Sequence, residues 1–192
     1  MKKLISNEVV KFCQRQLNQK LLFSLVLLTS CLSGFAQKSF SKGDKLLNIG
    51  VGINSYYSGG IPFGASFESG ITNEISAGAN VDYLSNKYNY GSGYSYKFTA
   101  LYIGVRASYH VNELLKLDMK KIDLYGGATL GYRRFSWSDD YTYGGLSGSY
   151  GSGIYLGAYV GGKYYFAEKI GVFAELGAIG STNARVGVAF RL

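Results

Sequence analysis

Past residue 36 this sequence has no cysteine, and the whole chain has one proline, Pro62, one histidine, His110, and one tryptophan, Trp137. A mature chain without cysteine has no disulfide and no thiolate chemistry. One histidine excludes a histidine-rich metal site and leaves a single candidate for histidine catalysis. One proline beside 27 glycines excludes both a collagen-like repeat and a proline-rich disordered segment. Charged residues make up 17%, against about 25% in ordinary soluble domains, which disfavours a cytosolic enzyme. After residue 37 no apolar run approaches the ~20 residues of a membrane-spanning helix. What is abundant is tyrosine, 18 residues, and an aromatic fraction of 16%, a composition suited to strands. At 192 residues the chain has room for one domain.

The N-terminus is the one helix-like exception. Lys2, Lys3, Lys11, Arg15 and Lys20 stand against Glu8 alone and lead into Leu21-Leu22-Phe23-Ser24-Leu25-Val26-Leu27-Leu28. A basic stretch, a short apolar run and small residues before a cut are the parts of an export signal. Gly34-Phe35-Ala36 favours cleavage after Ala36, because that cut removes the whole apolar segment; Leu28-Thr29-Ser30-Cys31 offers the alternative of a lipoprotein cut before Cys31. The reading is therefore a signal peptide over 1–36 and one domain over 37–192. Removing 1–36 takes away five Lys/Arg and one Asp/Glu, lowering the net charge from +8 to +4. The remaining charges form no basic stripe, which speaks against nucleic-acid binding.

Beyond the signal the period of apolar residues is two. Residues 154–166 alternate Ile154, Leu156, Ala158, Val160, Gly162, Tyr164 and Phe166 with Tyr155, Gly157, Tyr159, Gly161, Lys163 and Tyr165. Residues 99–111 and 184–192 follow the same rule. Further strands are expected over 46–54, 61–71, 75–83, 122–133 and 170–178, eight in all. Thr72–Glu74 and Ala167–Lys169 are tight turns, and Asn112–Lys121 is a middling one with room for a single helical turn. The segments 84–98 and 134–153 are long, rich in Gly, Ser and Tyr, and are taken as loops. Short turns at one end and longer loops at the other are the habit of transmembrane β-barrels.

Alternation alone does not say which face is inside. One face carries Glu68, Asp82, Arg106, Arg133, Lys163, Glu175, Arg185 and Arg191, and thirteen glycines share it; only Gly126 and Gly162 lie on the other. A solvated strand surface has no use for glycine, which weakens strands. A narrow eight-stranded interior does, because large side chains there must be offset by small ones. The polar face is thus the interior, and Ile, Leu, Val, Phe and Ala face hydrocarbon. A Lys or Arg at the bilayer midplane costs about 2–4 kcal/mol, consistent with outward rows that hold none. Tyr164 and Phe166 at one rim, with Tyr83 and Tyr132 at the other, suit aromatic girdles. The expected fold is all-β, an eight-stranded antiparallel transmembrane β-barrel.

The cleavage site ending Phe35-Ala36-Gln37, the segment Gly171-Val172-Phe173-Ala174-Glu175-Leu176-Gly177 and the close Asn183-Ala184-Arg185-Val186-Gly187-Val188-Ala189-Phe190-Arg191-Leu192 resemble the small outer-membrane β-barrels of the OmpA/OmpX type from Gram-negative bacteria. The resemblance covers the mature chain. It implies residence in the outer membrane, contact with its lipid and lipopolysaccharide, and assembly by the barrel-assembly machinery. Members commonly end in an aromatic residue; this chain ends in Leu192, with Phe190 two before it.

Candidate chemistry is sparse. His110 points inward near the periplasmic end, away from where a lipid-modifying enzyme would need a Ser–His pair, and is taken as a lumen hydrogen-bonding residue. Gly157-Ala158-Tyr159-Val160-Gly161-Gly162-Lys163-Tyr164 imitates a phosphate-binding loop but puts Tyr in the metal-binding position and lies in a strand. Asp139-Asp140 lacks the spacing of a calcium loop. The eight inward charges read as an ion-pair and tyrosine network filling the lumen, with an anion-selective path as the alternative. Tyr88, Tyr90, Tyr94, Tyr96, Tyr141, Tyr143 and Tyr150 suit either binding loops or rim packing. The sequence thus reads as a non-enzymatic barrel without cofactor or metal. Its role is structural or surface-interacting, with an extracellular ligand or surface as partner. A small channel and a lipid-modifying enzyme are the alternatives.

Overall fold

A computed structural model describes residues 39–90, 94–115, 121–139 and 150–192. Cleavage after Ala36 or before Cys31 lies outside them, as do Asp140, Tyr141 and Tyr143. Eight strands follow in chain order: β1 Lys45–Ser55, β2 Phe63–Gly70, β3 Ile75–Tyr90, β4 Tyr94–His110, β5 Ile122–Asp139, β6 Gly153–Tyr165, β7 Ile170–Gly177 and β8 Thr182–Arg191. Each pairs antiparallel with the next, and β1 closes the circle on β8 through Leu46↔Arg191 to Gly50↔Gly187. Closure pairs both edges of the sheet, so no ladder of N–H and C=O groups faces the surroundings.

Turn chemistry sets one end of the barrel. The hydroxyl of Thr72 accepts from the N–H groups of Glu74 (3.1 Å) and Ile75 (3.0 Å), folding the β2–β3 turn. Ala167 N–H donates to Ile170 C=O (3.1 Å) in the β6–β7 turn. Leu115 N–H donates to Val111 C=O (2.9 Å), a single helical turn after β4. Both termini of the barrel lie at this end, where Leu192 N–H donates to Lys45 C=O. The opposite end carries the β1–β2 connection, with Gly59 and Gly60 at positive φ, and the β7–β8 connection, with Gly180 at φ 93°.

The apolar rows face outward. Ile154 is 77% exposed and Leu156 76%, whereas Lys163 is 2% and Glu175 1%. Ile49, Val81, Ile103, Val105, Leu130, Val160, Val172 and Leu176 complete a belt around the outside. An interior of charges inside an exterior of hydrocarbon side chains is the inverse of a soluble barrel, and the fold is that of a transmembrane eight-stranded barrel. Inward glycines stand where the sequence placed them. A Cβ on Gly161 would lie 2.7 Å from the Tyr125 ring, and one on Gly127 2.5 Å from the Tyr159 hydroxyl. Outward Gly126 has nothing nearer than 3.7 Å.

Two segments expected as loops are strands in part. β3 and β4 remain in register up to Tyr90↔Tyr94, and β5 continues to Asp139, so 84–90, 94–98 and 134–139 prolong the sheet beyond the apolar belt. Over this extension the polarity reverses. Lys87, Lys97, Arg134, Ser136 and Ser138 point outward and are exposed, while Leu84, Phe98 and Ala100 are buried on the inner face. The crossover falls at the row Tyr83, Leu101 and Arg134, which is where aqueous surroundings replace hydrocarbon.

Candidate functional site

The lumen divides into tiers. At the turn end, Phe40 from the segment before β1 folds into the mouth and stacks on His110, centroids 3.5 Å apart and planes 7° from parallel. His110 Nδ1 lies 2.7 Å from Asp123 Oδ1 and its Nε2 lies 3.0 Å from Ser76 Oγ. Lys163 Nζ is 3.5 Å from Asp123 and 4.2 Å above the Tyr125 ring. Arg191 sits at the outermost edge, 4.4 Å over the Tyr165 ring, 3.8 Å from Asp44, and donating to the Ser39 carbonyl.

The middle tier centres on Arg106 of β4. Its guanidinium reaches Glu68 of β2 through Nε at 3.0 Å and Glu175 of β7 through a terminal nitrogen at 2.7 Å. Hydroxyls add to both carboxylates: Ser76 (2.8 Å) and Ser108 (2.6 Å) donate to one oxygen of Glu68, and Tyr125 (3.0 Å) donates to Glu175, while the other Glu68 oxygen has only the ion pair with Arg106. The face of Tyr159 lies 4.1 Å below the guanidinium. Mutual pairing and the hydroxyl donors offset the cost of burying these three charges.

Nearer the loop end, Asp82 pairs with Arg185 and accepts from the Ser181 N–H at 2.9 Å and the Ser181 hydroxyl. Asn80 donates to the Tyr155 hydroxyl (3.0 Å) and accepts from Thr129 (2.8 Å). Above them, Tyr57, Leu84, Phe98, Ala100, Tyr102 and Tyr155 form a buried apolar cluster, with Phe135 and Trp137 packed on it. The Tyr57 and Tyr102 hydroxyls bond one another. Burial pushes the Tyr57 phenol, which lies outside the strands, well up from its ordinary value. Beside this cluster a cavity of about 410 Å³ opens among Tyr56, Tyr102, Arg133, Phe135, Tyr150 and Tyr155.

All eight charges singled out from the sequence line the interior, but they do not form one network. Glu68, Arg106 and Glu175 make one group, Asp82 and Arg185 a second, and Lys163 joins Asp123 in a third; Arg191 pairs with Asp44, and Arg133 has an aromatic neighbour, Phe135, 5.7 Å from its guanidinium carbon. Sequence reasoning missed Asp123, which is fully buried. Its parity with Tyr125 and Arg133 on the same strand was the available signal. With Asp123 and Asp44 the five bases face five carboxylates, and the basic excess behind an anion-selective path disappears. The phosphate-loop imitation at 157–164 is regular β6 strand paired to β5 and β7.

Ser76, His110 and Asp123 stand in the order of a hydrolytic triad, a grouping that the sequence did not reveal. Two features argue against nucleophilic use. Ser76 is fully buried, and Glu68 lies nearer its hydroxyl than His110 does, so the one hydroxyl proton has a carboxylate to bind. Among the described residues no group of three or more His, Cys, Asp or Glu could hold a metal ion.

No protein-family model and no curated protein matches this sequence. Solved structures similar to it include Ail, the attachment invasion locus protein of Yersinia pestis, at 13% identity and a TM-score of 0.48, covering 78% of this chain and 98% of that one. The N-terminal β-barrel domain of Pseudomonas aeruginosa OprF is similar at 18% identity and 0.45, covering 80% and 99%. Neisserial surface protein A is similar at 20% identity and 0.43, covering 81% and 98%.

Proposed function

We propose that this chain is a Gram-negative outer-membrane protein, exported through a cleaved signal peptide, whose role is structural or surface-interacting rather than enzymatic or pore-forming. The observation that carries the reading is the opposition of an apolar exterior belt to an interior of paired charges. A polypeptide with that surface has no stable place in water. Its contacts are the lipid and lipopolysaccharide of the outer membrane, the barrel-assembly machinery during insertion, and an extracellular ligand or surface at the loop end.

A filled lumen supports the non-pore reading: Phe40 corks one mouth, the Arg106 carboxylate bridge spans the middle, and the aromatic cluster occupies the other mouth. The burial of Ser76 and the competition of Glu68 for its proton support the non-enzymatic reading. Cell fractionation with single cysteines at successive positions from Ile154 to Phe166, spin-labelled in bilayers, tests the whole. Recovery in the outer membrane with even positions alternately open to a lipid-soluble quencher is expected. A freely dissolved, detergent-free monomer overturns the proposal. Planar-bilayer conductance whose selectivity changes in Arg106→Ala or Arg185→Ala would replace it with a channel.

A further inference from the structure

The cavity at the loop end has an unusual inventory. Among the described residues its lining carries one charge, Arg133, and that charge has no carboxylate partner. Arg133 Nε is shut off from solvent and has no hydrogen-bond acceptor. The same closure shields Nε from a ligand, so an oxyanion entering the cavity meets the remaining guanidinium N–H groups, the donors with which it pairs best.

Four of the five lining tyrosines offer ring faces rather than free hydroxyls. Tyr56 donates to the Gly177 carbonyl (3.3 Å), Tyr57 and Tyr102 bond each other, and Tyr155 accepts from Asn80 (3.0 Å). The polar atoms of these tyrosines are thus engaged within the protein, and what they present to the cavity is flat aromatic surface. A ligand covered with hydroxyls would find few partners there, whereas a planar apolar ring would find several. A volume of about 410 Å³ lies in the range of small-molecule sites.

We infer that this cavity is a binding site for small aromatic monocarboxylates, the carboxylate seated on Arg133 and the ring held among Phe135, Tyr150 and Tyr155. The site takes the anion because no acid among the described residues of its wall competes for the guanidinium. It selects a planar body because its walls are rings, for which edge and face packing add to simple burial. Trp137, the only tryptophan, lies parallel to Tyr150 with centroids 6.2 Å apart, so occupancy of the cavity is adjacent to an intrinsic fluorophore.

The test uses the full mature chain folded in detergent micelles, whatever its cellular location, with titration calorimetry and Trp137 emission as readouts. Benzoate is the probe; benzamide is its uncharged planar counterpart and cyclohexanecarboxylate its non-planar one. Saturable one-to-one binding of benzoate is expected, with benzamide weaker by about 10-fold or more, the range of a charge-assisted hydrogen bond, and cyclohexanecarboxylate weaker by about 3- to 10-fold, the range of aromatic pairing. Arg133→Gln should abolish the preference for benzoate over benzamide, and Arg133→Lys should keep part of it. Phe135→Leu should weaken benzoate while leaving the charge preference. Equal binding of benzoate and benzamide by the unaltered protein, or an undiminished preference in folded Arg133→Gln, overturns the site. Equal binding of cyclohexanecarboxylate overturns its aromatic selectivity.

Discussion

The guanidinium of Arg185 on β8 occupies the space in which Gly64 on β2 would carry a side chain: a Cβ built on Gly64 meets the Arg185 carbon and both terminal nitrogens at less than bonding-free distance. Arg185 has no freedom to retreat, since Asp82 and the Ile179 carbonyl (2.9 Å) hold the same nitrogen. The absence of a side chain on one strand therefore sets the ion pair of two others.

From this follows a contrast between two glycine substitutions. Gly64→Ala should destabilise the barrel by about 1–3 kcal/mol through overpacking against a pinned group. Gly126→Ala, on the lipid face with open space, should be neutral or stabilise by about 0.5 kcal/mol. Urea titration in micelles, followed by heat-modifiable gel mobility, checks both. Equal effects would contradict the glycine argument.

Removing Arg106 strands two carboxylates. Arg106→Met alone should cost about 3–5 kcal/mol, the usual penalty for breaking a buried ion pair from one side. The triple variant Glu68→Gln, Arg106→Met, Glu175→Gln should recover much of that loss, because the buried charges leave together. Equilibrium unfolding of the two variants side by side measures the difference.

The polarity crossover predicts depth dependence on a single hairpin. Val105→Arg faces hydrocarbon midway along β4 and should cost about 2–4 kcal/mol. Ser136→Arg, two rows past the last outward-facing apolar residue of β5, Tyr132, should cost close to nothing. Folding yield into lipid vesicles distinguishes the two, and a large penalty at Ser136 would move the hydrocarbon boundary outward.

Phe40 is 4% exposed and stacked on His110. Phe40→Ala should cost about 3 kcal/mol, as for other buried Phe truncations, and should speed hydrogen exchange at His110 and Asn112 in the turn-end mouth. Exchange unchanged from the parent would mean that the segment does not seal that end.

The elements differ in how readily they were read. β6 was legible because Ile154 to Phe166 alternates without a break and carries Lys163 on the expected face. The upper parts of β3, β4 and β5 were not. There Phe98 and Trp137 stand on the face that lower down holds Arg106 and Tyr125, so a phase assigned by polarity breaks at Leu84 and the segment imitates a loop. The tyrosines and glycines at 88–96 reinforced that reading. Asp123 was missed at a strand start, although its parity with Gly127, Gly131 and Arg133 put it on the polar face.

Strand count, antiparallel order and sidedness belong to the local pattern, because side chains alternate across a strand whatever its partners. The choice of partner across the lumen does not. Glu175 reaches Arg106 from 69 positions away, and closure brings Tyr102 and Tyr155 to the level of Arg133, where no described carboxylate pairs with it. Such contacts depend on stagger and diameter, which arise when the eighth strand meets the first.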